Sequence, residues 1–549
     1  MEREQIQEYF DRLAELEEER SPWEAHWKEI QEYILPDSGF FSREGQQPNR
    51  GEKRRSKIIN GVAEEALDRG AAGMQMGLTS PSRPWFRLTL ADAELAGYGP
   101  VREWLDYVEQ LMYRLFSKSN FYAAVMSLYA DILGFGIACL YEEESPTTTI
   151  WFRPCAVGEY CIAEGHNGLV DTLYRRYWMT VKNAATSFGI ENLSETRRNQ
   201  VDGSPYEWME VLHVVQPRRE RDSDKLDRLN MPYESVYLEM GNLEKPLWVG
   251  GYEEFPYFVP RWNTSGPDVY GRSQAMKVLS DVKMLNEIEK TTLKALHKHV
   301  DPPMSVPSGF KGVVSLLPGA INYIDTQTMG RAEPLYQVST DFGGVEQRIA
   351  RIELSIRRAF FNDIFLMLTQ SDNPQMTARE VMERHEEKLI LGPFIDRHST
   401  EFHDRVIDRT FGIMVRRGMV PPPPQEIIGQ DLKVDYVSIL AQAQRMIGTQ
   451  SIRAAADFVA GLAQFKPEVL DKFNADEAVD QFAEMVGVPA KVILPDDRVQ
   501  EMRAARQKLM EEQKQAEAAM NEIGAAKTLS ETRTEEGNVL GDLLSGLGM

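Results

Sequence analysis

"YGRSQAMKVLSDVKMLNEIEKTTLKALHKHVDPP", Tyr270 to Pro303, is the stretch on which the fold turns. Leu279, Val282, Leu285, Ile288, Thr292 and Leu296 keep a three/four spacing that lays one apolar stripe along a helix. Lys294, Lys298 and His299 cluster in its last turn, where cations suit the negative end of the helix dipole. Pro302 and Pro303 then forbid continuation. Ser273 to His299 spans roughly 40 Å at 1.5 Å per residue. A second such pattern is "DFGGVEQRIARIELSIRRAFFNDIFLML", Asp341 to Leu368, with Val345, Ile349, Ile352, Ile356, Phe360 and Ile364 on one stripe. It too would run roughly 40 Å. Between them, 301–340 is rich in Pro and Gly, with strand-like "GVVSLL", "AINYID" and "AEPLYQV". Two matched helices meeting a small insert predict a hairpin that projects the insert away from the body.

Upstream, the first helical face carries Ile6, Phe10, Leu13 and Leu16, and a new helix is expected at Ser21-Pro22-Trp23-Glu24. There Ser21 can cap, Pro22 suits the first helical position and Glu24 completes a capping box. Trp23, Trp27, Ile30 and Ile34 continue that helix to Pro36. A small-residue helix, a Ser-Pro turn and a strand from Trp85 to Leu90 follow, then helix over 98–133 with Trp104, Val108, Leu111 and Leu115 on one face. From 134 to 262 the period shifts towards two, and seven short strand candidates predict a mainly antiparallel sheet. Downstream, Thr377 to Glu380 reads as a capping box opening a helix through Val381, Leu389, Phe394, Phe402, Val406 and Phe411, kinked at Gly392-Pro393. Pro421 to Pro424 close it. A helical region over 430–500 and a weak heptad of Met502, Leu509, Ala516 and Ile523 complete the chain, with disorder expected beyond Lys527. The fold class is therefore α+β and predominantly helical.

A chain of 549 residues allows two to four domains. Its net charge of −22 argues against a broadly basic clamp on nucleic acid, while leaving room for DNA that slides past local charges. The same acidity also serves plain solubility. Cys139, Cys155 and Cys161 lack CxxC spacing, so a disulfide framework or a structural zinc site is not expected. The charged N-terminus is no secretory signal. The apolar run 122–141 carries Asp131 at its centre and a Gly134–Gly136 break, and reads as a buried helix entering a buried strand rather than a membrane span.

Reaction chemistry is hard to find. GxxxxGK[ST] and GxSxG are absent, and Gly134-x-Gly136 continues to Cys139 rather than Gly. His385-Glu386-Glu387-Lys388 lacks the second His of a zincin. His398 and His403, five apart, would face different sides of an α-helix and share no metal. No catalytic residue, metal ligand or cofactor is assigned. Three basic features remain: Lys290, Lys294 and Lys298 at i, i+4, i+8; Arg348, Arg351, Arg357 and Arg358 on the second long helix; and the Lys53-Arg54-Arg55 run. The helical sets read either as a ladder of phosphate contacts or as a solvated face opposite the apolar stripe.

In their order these pieces resemble the portal (head-to-tail connector) proteins of tailed bacteriophages, the podophage group above all. "RRSKIINGVAEEALDRGAAGMQMGLTSPSRPWFRLTL" is similar to that group's early helix–turn–strand. "FPYFVPRWNTSGPDVYGRS" resembles its strand leading into the first stem helix, and "QMTAREVMERHEEKL" resembles the start of its long helix. The likeness covers residues 5–500. It implies a wing over 1–270, stem helices over 271–300 and 341–368, a small α/β clip over 301–340 and a tunnel loop over 369–377. A long kinked wing helix and linker over 378–424, a crown over 425–500 and a tail over 501–549, weakly helical, barrel-forming or disordered, would follow. It further implies a non-enzymatic ring, a dodecamer, at one capsid vertex of the virion, assembled in the host cytoplasm. Double-stranded DNA would pass along its axis, driven by a separate terminase, with capsid, scaffolding, tail or adaptor proteins as partners and no membrane. Gln370, Ser371, Asp372, Asn373 and Gln375 of the polar loop, with Lys290, Lys294 and Lys298 of the stem, would face the channel. Two other classes stay open on the residues alone: another virion scaffold or tail component, and a metal-dependent nucleic-acid hydrolase using clustered carboxylates.

Overall fold

The computed structural model describes residues 3–41, 54–92, 95, 98–222, 224–225, 227–306, 315, 321, 333–335, 341–364, 392–429, 432–436, 452–463, 465–486, 496–531, 533–534 and 537–538. The chain divides into two units. One comprises Met1–Phe86, Gln110–Pro421 and Tyr436–Gln444, the other Arg87–Glu109, Pro422–Asp435 and Arg445–Met549.

The first unit begins with α1, Arg3–Tyr33. It is a single helix, so the break expected at Ser21 does not occur and Pro22 lies in its interior. A mid-helix proline costs about 3 kcal/mol. Packing on both sides of it offsets that cost. Ile6, Leu13 and Leu16 press on Tyr174, Leu212, Val214, Val236 and Leu238, while Trp27 and Ile30 are also buried. Beside the proline, buried Arg20 donates to the Tyr160 carbonyl at 2.7 Å and pairs with Glu24 at 3.5 Å.

The small-residue helix is α2, Val62–Leu78, followed by strand β1, Phe86–Leu90. Helix is present over α3, Gly99–Lys118, and α4, Phe121–Phe135. The buried face of α3 is Val101, Leu105, Val108, Met112 and Leu115, one position round from the expected Trp104 and Leu111. No described helix is long and apolar enough to cross a membrane, and α4 is a core helix with Asp131 buried inside it. Asp131 accepts from the Ser38 hydroxyl, and burial pushes its carboxyl up to about 7.

The β region forms two antiparallel sheets. Strands β2, Cys139–Ser145, β3, Thr149–Cys155, and a later β9, Tyr257–Phe258, lie in the order β3-β2-β9. The five-stranded sheet runs β4-β5-β6-β7-β8, with β4 Tyr160–Glu164, β5 Val170–Thr180, β6 Trp208–Pro217, β7 Tyr233–Glu239 and β8 Trp248–Tyr252. Strand β8, with two glycines in five residues, escapes period-two reading. So do the short helices α5, Val181–Phe188, and α6, Glu195–Gly203, each capped by a Thr or Ser hydroxyl. Alternation along β6 turns Leu212 and Val214 towards α1, while Met209 and Val211 join Val181, Ala184 and Leu193 of the α5 side.

The two long helices are α7, Gln274–Val300, and α8, Phe342–Ala359. They are not matched: α7 has 27 residues and α8 has 18, and the run expected to Leu368 is interrupted at 360–361 before helix resumes over 362–364, with 365–368 outside the described residues. Phe361 ends α8 with φ +59, a left-handed conformation that a bulky side chain adopts only under compulsion. Its ring stacks on Trp262 at 5.7 Å, and Trp262 stacks in turn on Phe394 at 4.1 Å. That aromatic seat outweighs helix continuation. Of the insert, Met304–Ser305 and Glu333–Pro334 pair as an antiparallel two-residue ladder.

Of the long helix expected from Thr377, the described part is α9, Gly392–His398, then a π-helical turn, Ser399–His403, then α10, Asp404–Arg416. The π-turn corrects the histidine reading. Its i→i+5 bonding aligns residues five apart, so His398 and His403 meet in a T-shape at 4.8 Å and both are buried. Burial pushes both imidazoles down, His403 to about 3.

In the second unit β1 pairs with Leu432–Tyr436. Helices run over 452–463, Ala475–Val486 and Asp496–Glu531. The last persists past Lys527, and its heptad side chains Met502 and Leu509 are exposed.

Candidate functional site: the helical hairpin

Residues just before α7 fix where the hairpin leaves the body. Gly136 caps α4 with φ +83, and a Cβ there would lie 2.3 Å from the Gly271 carbonyl oxygen. A Cβ on Gly271 would meet the Gly136 oxygen at 2.1 Å. Two glycines are needed because two backbones cross in contact. The Gly136 carbonyl accepts from the Trp262 N–H at 2.9 Å, and Tyr270 packs edge-on against Trp27 at 5.4 Å. The Ser273 hydroxyl then accepts from the Met276 N–H at 2.9 Å and opens α7.

The proximal half of α7 buries Val278, Leu279, Val282 and Leu285. Asn286 is the polar pin at the middle. Its side-chain oxygen accepts from the backbone N–H of Ile59 at 2.6 Å and of Asn60 at 3.1 Å, and its amide donates to the Val282 carbonyl at 2.9 Å. Asn60 in turn donates to Glu289 at 3.2 Å and to Glu353 at 3.1 Å, tying both helices to the loop before α2. On α8, Ile352 and Ile356 are buried, as is Phe360 just past its end, whereas Val345 and Ile349 are half-buried.

Lys290, Lys294 and Lys298 are all exposed on the side of α7 away from its apolar stripe. Lys290 pairs with Glu287 at 3.6 Å, a contact of little energy at that exposure. The four arginines of α8 separate into two groups. Arg357 bridges Glu353 at 3.7 Å and Glu65 at 4.0 Å, and Arg358 pairs with Asp363 at 3.5 Å. Arg348 and Arg351 are exposed. Gln370, Ser371, Asp372, Asn373 and Gln375 lie outside the described residues, as does Lys53.

The three carboxylates whose proton affinity is raised furthest are dispersed rather than convergent. Burial lifts Asp131, Glu142 and Glu109 each to about 7. Asp131 answers Ser38, Glu142 answers Thr410 and Arg409, and Glu109 answers the Leu88 N–H. Among the described residues no three His, Cys, Asp or Glu side chains gather to hold a metal ion.

Sequence reading missed the clamps on α10 because their partners are far apart in the chain. Buried Arg261 binds Glu401 of the π-turn and Glu164 of β4. Arg409 donates to the Glu142 and Glu254 carbonyls, and Arg416 grips Glu254 at 2.6 Å.

The family described as "Bacteriophage head to tail connecting protein" matches residues 6–494. The chain is 39% identical over 539 residues to the "Probable portal protein" of Bordetella phage BPP-1, covering 97% of this chain and 96% of that one. It is 38% identical over 544 residues to the "Portal protein" of Salmonella phage epsilon15, covering 98% and 97% respectively. A chain from the "Virion of native gene transfer agent (GTA) particle" aligns over 72% of this chain and 85% of its own, at 11% identity and a TM-score of 0.34, too low to support a shared arrangement.

Proposed function

This chain belongs to the family of bacteriophage head-to-tail connecting proteins, and on that premise we propose how its portal role is carried out. Identical copies, twelve in the family's usual ring, stand around an open axis at one vertex of the capsid. A terminase drives double-stranded DNA inward through that axis, the genome later leaves the same way, and tail or adaptor proteins dock on the projecting insert. The work is mechanical rather than catalytic, and assembly takes place in the host cytoplasm.

The supporting observation is the two-sided hairpin of α7 and α8. Over the proximal half its apolar stripe is turned onto the body, while Lys290, Lys294 and Lys298 stand exposed behind α7. A conduit must touch its cargo without gripping it, because each phosphate neutralised tightly adds a barrier to sliding. A net charge of −22 with a sparse lysine ladder suits that need. Gln370, Ser371, Asp372, Asn373 and Gln375 would add uncharged hydrogen-bonding contacts at the narrowest point, with a single charge from Asp372. In this reading 271–300 and 341–368 form the stem, 301–340 the clip, 369–377 the tunnel loop, 1–270 with 378–424 the wing, 425–500 the crown and 501–549 a tail, weakly helical, barrel-forming or disordered.

Averaged electron micrographs of the purified protein test this reading. End-on rings with a central hole are expected. A lone globule, or a closed assembly with no bore, would overturn it.

A further inference from the structure

On the distal half of the hairpin the apolar stripe continues past the point where the body covers it. Leu293 is 51% exposed and Leu296 43%. Between the helices lies a groove of about 490 Å³, lined by Glu289, Leu293 and Leu296 of α7 and by Val345, Glu346 and Ile349 of α8. Glu353 continues its acidic edge. The opposite flank of the hairpin is basic. At about 100° per residue, Arg348 stands about 200° round α8 from both Glu346 and Ala350, and Arg351 about 200° from Glu353. Met284 stands about 180° round α7 from Leu293. A contact of 4.0 Å between the Arg348 guanidinium and the Met284 sulfur places those two on one flank.

We propose that the groove of one copy receives the opposite flank of the hairpin of a second copy, head to tail. Met284 lies against Leu293 and Leu296, and Arg348 and Arg351 pair with Glu346 and Glu353. The inference rests on the ring reading and adds which faces mate. The two flanks are unlike, one an acid-rimmed apolar groove and the other a basic ridge, so the contact is heterologous, the kind that closes into a ring when the rotation between copies closes. Arginine suits the role because its planar fork binds carboxylates in a fixed geometry. The lysine ladder is left uncovered, and stays available to the axis.

Three variants test it: Arg348→Glu, Glu346→Arg, and both together. Ring mass is followed by light scattering over a dilution series. Each single change should raise the concentration at half-assembly by about tenfold or more, since like charges then face each other. The double variant should return towards the parent. Because the two positions lie on opposite flanks of one helix, such recovery acts between copies and not within one. Rings in the parent that persist unchanged in both single variants overturn the mating faces alone. Loss in the single variants without recovery in the double also overturns them. Failure of the parent to form rings overturns the ring reading itself.

Discussion

Replacing Glu401 by alanine should loosen α9 and α10 far more than any surface change of equal size. Arg261 is 2% exposed and Glu401 4%, so neither charge has water to fall back on. The Arg261 Nε donates to Glu401 Oε1 at 3.1 Å, its Nη2 to the same oxygen at 2.5 Å, and its backbone N–H to Oε2 at 2.8 Å. Without Glu401 the guanidinium keeps Glu164 and the carbonyls of Val269 and Gly168. Stripping one partner from a buried ion pair costs about 3–5 kcal/mol, chiefly through the charge left behind. At about 1.4 kcal/mol per factor of ten, amide hydrogen exchange across 394–416 should speed up by about 100-fold to 1,000-fold or more. Mass-resolved exchange on the purified protein reads this directly. The double change Arg261→Met with Glu401→Leu should recover part of the protection, because the buried pair is gone while Glu164 and the Val269 and Gly168 carbonyls lose their donor. If the alanine variant exchanges within about threefold of the parent, the clamp does not hold the helix and the reasoning fails.

Three further outcomes follow from other sites. His398 and His403 are held neutral, with affinities for the proton below the ordinary 6.5, so the unfolded chain binds more protons as pH falls. Stability is fully present above pH 6.5 and is lost on acidification by up to about 1.4 kcal/mol per pH unit per histidine. His403→Leu should flatten that slope in urea unfolding between pH 6.5 and 5, and equal slopes in variant and parent would refute the assignment. Gly136→Ala should cost about 2 kcal/mol or more, through positive φ and collision with Gly271. A melting temperature that matches the parent would show that the two backbones can part. Changing Lys290, Lys294 and Lys298 together to Glu should leave rings intact while impairing DNA packaging or retention, and normal packaging would count against a channel role.

Local signals determined much of this protein. Ser273 followed by a three/four apolar stripe and a double proline is a helix under almost any surroundings, and α7 stands where that pattern puts it. Period-two runs found the strands with alternating faces, such as β3, because a half-buried strand must alternate. Family kinship, too, was legible in short ordered motifs.

What the sequence could not decide were contests between a local preference and a distant partner. Pro22 is a break by local rules, yet the sheet under Leu16 and the core around Trp27 keep α1 continuous across it. The stripe to Ile364 promised a longer α8, but Trp262, about a hundred residues away in the chain, draws Phe361 out of the helix. Five-residue spacing parts two histidines on an α-helix and joins them on a π-turn, and the turn type is chosen by the seats of Glu401 and Phe402 in the body. The mating flanks of the hairpin belong to the same class. Periodicity shows that Arg348 and Glu346 lie on opposite sides of one helix, but only the packing of α7 against α8 decides which side becomes a groove and which a ridge. Helix and strand follow from neighbours in sequence, whereas burial and charge pairing are set by neighbours in space.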